Sequence, residues 1–140
     1  MPNSRPTSPH LGIYRWRVNM WQSTLHRLTG LFLCIGTVFV TWGLIAAASS
    51  GAAWGAFAGF SGSWIGQILW FLWVWSLLFH LCNGFQHLMR DVGMNYGPAN
   101  RDRTHNPVYW SGGWAIIAIS VVLTIAVWLL LILRVAGGAA

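Results

Sequence analysis

The chain has 140 residues, of which 56% are hydrophobic, 15% aromatic and only 7% charged. An ordinary soluble domain is roughly 25% charged, so this sequence cannot clothe a water-facing surface. The formal net charge of +6 rests on arginine alone, with no lysine. A nucleic-acid binder would carry a basic stripe on a polar fold, so the long apolar runs here exclude nucleic acid as a partner.

The first element is an arm over residues 1–20. Its segment Met1 to Asn19 is polar and contains Pro2, Pro6, Pro9, Arg5, Arg15 and Arg17. It has neither the apolar core nor the small-residue cleavage site of a secretory signal. Insertion is therefore expected to be directed by the first apolar segment itself. That segment runs over about 21–48 and opens with Ser23-Thr24-Leu25-His26-Arg27. It exceeds the ~20 residues that cross a ~30 Å hydrocarbon core. The stretch from Ser49 to Ser63 is rich in Gly, Ala and Ser, carries no charge and reads as a loop. A second apolar segment follows over about 64–90 and holds His80 and His87. Asp91 to Tyr109 is a polar loop with Pro98, Arg101, Asp102, Arg103, His105 and Pro107. A third apolar segment covers about 110–134. Cys34 and Cys82 lie inside apolar runs and read as small core residues, not as a disulfide framework.

The predicted fold class is therefore all-α, with three transmembrane helices in a membrane anchor domain over residues 21–140. Three helices bury polar side chains poorly, so helices of another chain are expected to complete a multi-subunit bundle. Arg5, Arg15, Arg17, Arg27, Arg90, Arg101 and Arg103 fall on one side, against Arg134 on the other. The positive-inside rule then puts the N-terminus in the cytoplasm and the C-terminus in the periplasm, with membrane lipid as a partner throughout. Trp21, Trp64 and Trp110 sit at segment ends, where an interfacial belt places them.

An ionisable side chain inside a membrane-length segment marks a functional site by default. His80 and His87 are seven residues apart, on one helical face and two turns from each other. His80 is the deeper, and a neutral imidazole in apolar surroundings is a good axial ligand for haem iron. The two cannot share an iron, since axial nitrogens at Fe–N bonds of ~2 Å are ~4 Å apart and these lie ~10 Å apart along the helix. His26 is expected near the depth of His87, too shallow to be the second ligand. His26, Arg27 and His87 would then cluster at the rim, where Arg suits a haem propionate. Plainer readings stand beside these. His26 and His87 could be interfacial, Arg27 could snorkel to the headgroups, and Ser23 could cap the first helix. Gly84 suits close approach of a macrocycle or of another helix equally well.

Three motifs carry a family resemblance. Arg5-Pro6-Thr7-Ser8-Pro9-His10-Leu11-Gly12-Ile13-Tyr14 is similar to an RP-x-SPHL-x-IY arm. Ser23 to Gly30 matches a signature S-x-x-HR-x-S/T-G, and His80 to Asp91 resembles H-x-x-x-G-x-RH-x-x-x-D. In this order they resemble the cytochrome b-type membrane anchor subunit of succinate dehydrogenase (succinate:quinone oxidoreductase, respiratory complex II). One departure is Gln86, where the family usually has Arg.

The resemblance implies that His80 is the axial ligand, and the metal ligand, of one haem b shared with a second anchor subunit. It implies that His26, Arg27 and His87 bind the same cofactor near its propionates, and that Ser23 and Arg27 line a ubiquinone site. Ubiquinone would be the substrate, and a flavoprotein and an iron–sulfur subunit the further partners. The expected setting is electron transport linked to the tricarboxylic acid cycle at a bacterial inner membrane. The rivals are a haem-free structural anchor and a small helical transporter. A proton-coupled transporter would need an intramembrane carboxylate, and the only acids, Asp91 and Asp102, lie at or beyond the span edges.

Overall fold

The computed structural model describes residue 12, residues 15–94 and residues 107–138. Four helices follow in order: α1 Val18–Ser49, α2 Gly51–Gly62, α3 Trp64–Asp91 and α4 Pro107–Gly138. Three stretches, Val18–Ser49, Trp64–Asp91 and Gly112–Gly138, are long and apolar enough to cross a membrane. No strand occurs among the described residues. The all-α, three-span expectation therefore holds.

The packing polarity is inverted relative to a soluble protein. Among the described residues the buried set includes Gln22, Thr29, Ser76, Asn83, Gln86, Ser120 and Thr124, beside the apolar Val18, Ala46 and Phe79. Large apolar residues such as Leu31, Val38, Leu81, Leu130 and Leu133 are exposed. Hydrocarbon rewards that arrangement, because apolar surface costs nothing there and polar groups must find partners inside. Ser120 and Thr124 satisfy their hydroxyls along α4 itself, donating to Ile117 O at 2.8 Å and to Ser120 O at 2.7 Å.

The α1–α3 seam is antiparallel and built on glycine. Trp73 of α3 lies directly on Gly36 of α1. Further along, the His80 ring rests on Gly30. A side chain at either position would displace an aromatic ring from the neighbouring helix.

The Ser49 to Ser63 stretch differs from the expected loop: most of it is helix α2. Ser50 caps it by accepting a hydrogen bond from Ala53 N at 3.2 Å. Ser63 then caps α3 through Gly66 N at 3.1 Å. The helix folds back on α1, with Phe57 against Gly43 and Phe60 stacked on Phe39 at a centroid distance of 5.8 Å. Gly55 and Gly59 face open space. Glycine disfavours helix by about 1 kcal/mol in water, but an apolar surrounding requires every backbone bond to be closed internally. The aromatic contacts add to that requirement.

Candidate functional site

Three residues of α1, His26, Thr29 and Gly30, surround the His80 imidazole. Its Nδ1 lies 3.2 Å from the backbone O of His26 and 3.4 Å from Oγ1 of Thr29. The Thr29 hydroxyl donates its proton to Leu25 O at 2.7 Å. Both groups facing Nδ1 are therefore acceptors, so Nδ1 carries the ring proton. Nε2 is left with its lone pair, the form in which histidine binds a metal. Gly30 makes this approach possible, since a Cβ there would come within 3.1 Å of Cε1 of His80.

His26 is not separated from His80 as its sequence position suggests. The two rings stack, with centroids 3.8 Å apart and planes inclined by 13°. His87 lies beyond, its ring 5.4 Å from that of His26. The antiparallel register explains the difference: Gly84 of α3 lies against His26, 4.0 Å from its Cε1. His26 therefore falls between His80 and His87 instead of level with His87. Parallel stacked rings direct their nitrogen lone pairs side by side, not toward a common point. His26 in this arrangement does not oppose His80 across one metal ion.

The Nδ1 of His26 is buried with no hydrogen-bond partner among the described residues. An orphan of this kind beside a metal-ready imidazole fits a polar group supplied by a bound molecule. Among the described residues no set of three His, Cys, Asp or Glu could close around a metal ion by itself. The donor set fits a cofactor that brings most of its own ligands, as haem does.

Ser23 and Arg27 are both exposed, one turn apart on one face of α1. Ser23 is not a cap, because α1 begins at Val18 with Arg17 as its N-cap residue. Cys34 and Cys82 are free thiols; Cys34 faces outward instead of into a core, and Cys82 is half-buried. Asp91 is the last residue of α3, and Gly93 follows at φ 83°, the left-handed turn that ends the helix. The arm motif apart from Gly12, together with His105, Arg101 and Arg103, lies outside the described residues.

Sequence reasoning missed a buried amide cluster one turn away. Gln22 Nε2 donates to Asn83 Oδ1 at 3.0 Å and to Gln86 Oε1 at 2.8 Å. Gly112 and Gly113 of α4 close over it: a Cβ at Gly113 would lie 2.8 Å from Gln22 Oε1, and one at Gly112 would lie 3.2 Å from Gln86 Nε2. Gln86 therefore points into the three-helix junction and bonds to Gln22. The available sequence signal was three carboxamides on apolar segments, each within about a turn of His26, His80 or His87.

Comparison with known proteins bears on the whole chain. Residues 1–127 match the family described as succinate dehydrogenase/fumarate reductase transmembrane subunit. The succinate dehydrogenase cytochrome b556 subunit of Paracoccus denitrificans is 37% identical over 122 residues, covering 87% of this chain and 88% of that protein. The cytochrome b556 subunit of Rickettsia felis is 31% identical over 126 residues, covering 90% and 92%. The mitochondrial cytochrome b560 subunit of Bos taurus is 35% identical over 94 residues, covering 64% and 54%. With three apolar spans and this likeness along nearly its whole length, the chain belongs to the succinate dehydrogenase/fumarate reductase transmembrane subunit family, among its cytochrome b anchors.

Proposed function

We propose that this chain binds one haem b, shared with a second membrane anchor subunit, and forms part of a ubiquinone-reducing site. The observation that carries the reading is the placement of His80 Nδ1 against His26 O and Thr29 Oγ1, at 3.2 Å and 3.4 Å, which leaves Nε2 for a metal. His80 would hold the iron. His26, Arg27 and His87 would hold the propionate end through charge-assisted hydrogen bonds. Bound haem supplies one-electron redox chemistry at the seam.

Ser23 donates a hydrogen bond to a quinone carbonyl. Arg27 stabilises the negative charge that develops on the quinone oxygen during reduction. Succinate gives up two electrons and two protons to become fumarate on the flavoprotein subunit, and the iron–sulfur subunit relays the electrons. Quinone takes two electrons and two protons to become quinol. The assembly sits in a bacterial inner membrane, with the N-terminus cytoplasmic and the C-terminus periplasmic. The arginine asymmetry supports that orientation.

The test is a reduced-minus-oxidised spectrum and a low-temperature paramagnetic resonance spectrum of the purified complex. A low-spin bis-imidazole haem is expected in the native complex and is lost in His80→Ala. A native complex without haem would leave the chain a structural anchor. An unchanged low-spin signal in His80→Ala would remove His80 as the ligand.

A further inference from the structure

We propose that Gln22, Asn83 and Gln86 are positioning residues, a two-point pin that fixes the register of α1 against α3 and so sets the orientation of the His80 imidazole. The inference rests on the haem-binding reading above. One NH2 group of Gln22 spends both its hydrogens on α3. The acceptors, Asn83 Oδ1 at 3.0 Å and Gln86 Oε1 at 2.8 Å, are three residues apart on that helix. A single hydrogen bond lets two helices pivot. Two bonds from one rigid planar group to acceptors about one turn apart resist both rotation and sliding.

The placement suits this role. Gln22 precedes His26 by four residues, and Asn83 follows His80 by three. In an antiparallel pair both steps lead toward the same end, so the pin lies one turn from the stacked rings. A side-chain tip sits ~5–6 Å from the helix axis, so a 10° rotation of α3 moves it by ~1 Å. The bond from His80 Nδ1 to His26 O is 3.2 Å long and would not survive such a movement.

A purely stabilising role explains the cluster less well. Gln22 and Asn83 are 3% and 1% exposed, yet Gln22 Oε1 and Asn83 Nδ2 have no hydrogen-bond partner among the described residues. Apolar groups of the same shape would carry no such penalty. What methyl groups cannot supply is direction. Gly112 and Gly113 make room for the amides instead of packing against them with side chains.

The experiment uses the intact detergent-solubilised complex and reads haem content, low-spin resonance positions and midpoint potential. Gln22→Met keeps length and volume and removes the donor. Haem content is expected to stay near native. The resonance positions are expected to move, and the reduction equilibrium to shift about threefold, ~30 mV at 59 mV per tenfold change. Gln22→Met/Gln86→Met is expected to shift them no further than the single variant does, because both break the same pin. Additive shifts would indicate independent packing and overturn the proposal. So would native resonances and potential in Gln22→Met with normal haem content.

If Gln22→Met fails to assemble, Gln22→Met/Asn83→Leu/Gln86→Met, which leaves no orphaned amide, decides the matter. Altered resonances with haem retained support the pin; native resonances, or failure to assemble, overturn it. A native complex without low-spin haem refutes the proposed function, whereas a native signal that Gln22→Met leaves untouched refutes only the pin.

Discussion

Replacing Gly30 by Ala puts one methyl group where the His80 imidazole now rests. The new Cβ would come 3.1 Å from Cε1 and 3.6 Å from Nδ1 of that ring. Comfortable carbon–carbon contact begins near ~3.5 Å, so the ring must retreat by ~0.4 Å. The Nδ1 to His26 O distance is already 3.2 Å. A retreat directed along this bond lengthens it to at most ~3.6 Å, past the limit of a useful hydrogen bond. A bond of this kind is worth ~1 kcal/mol net. Its loss makes the imidazole a poorer electron donor, and the ferric state loses more than the ferrous state does. The midpoint potential should therefore rise. If the whole ~1 kcal/mol appeared as a difference between oxidation states, the rise would be ~40 mV, taking 59 mV per tenfold change; that figure is a ceiling. The assay is an equilibrium redox titration of the purified complex, with haem content as the control. A potential that stays put or falls, at normal haem content, would refute both the tautomer assigned to His80 and the role given to its hydrogen bond.

Other predictions test other parts of the molecule. Ser23→Ala should weaken quinone reduction by ~1 kcal/mol and Arg27→Leu by ~2–3 kcal/mol in transition-state terms. Both should spare succinate oxidation by an artificial acceptor that draws from the soluble subunits; equal loss of both activities would point to faulty assembly instead. Gly36→Leu forces the Trp73 indole off α1 and should cost ~1–3 kcal/mol of stability by overpacking. A thermal midpoint equal to the native complex would show that the seam yields at no cost. Reporter fusions at Ala140 and in the loop near Asn100 should report opposite sides of the membrane, and the same side for both would reverse the orientation read from the arginines.

The parts of the molecule legible in its sequence were those that depend on one helix at a time. Hydropathy over Val18–Ser49 and Trp64–Asp91 predicts spans because the bilayer acts on each segment alone. The shared face of His80 and His87 follows from helical period. What failed depended on how helices meet. Counting residues from the rim pairs His26 with His87, but packing on Gly30 and Gly36 sets a register that places it against both His80 and His87. Helix α2 is hidden because an uncharged stretch rich in Gly, Ala and Ser reads as a linker, and glycine disfavours helix in water. The amide pin was hidden because Gln22, Asn83 and Gln86 mean little until α1, α3 and α4 are brought together.

The charge-free course of α1 fixes how the site stands to the membrane's electric field. After Arg27 the helix meets no charged residue before its end at Ser49. Those 22 residues, 28 to 49, rise ~33 Å at 1.5 Å each, the whole hydrocarbon thickness. The His80 ring, seated on Gly30, lies about one turn beyond Arg27 along α1, ~5 Å. A charge carried across the full barrier works against ~2.3 kcal/mol for every 100 mV. With Arg27 at the membrane boundary and haem held by His80, as proposed above, an electron entering at that depth from the arginine-rich side would traverse about a sixth of that path, or ~0.4 kcal/mol for every 100 mV. Electron entry at this depth would be nearly indifferent to membrane potential, and the proposed quinone site, protonated from the same side, would turn over without charging the membrane.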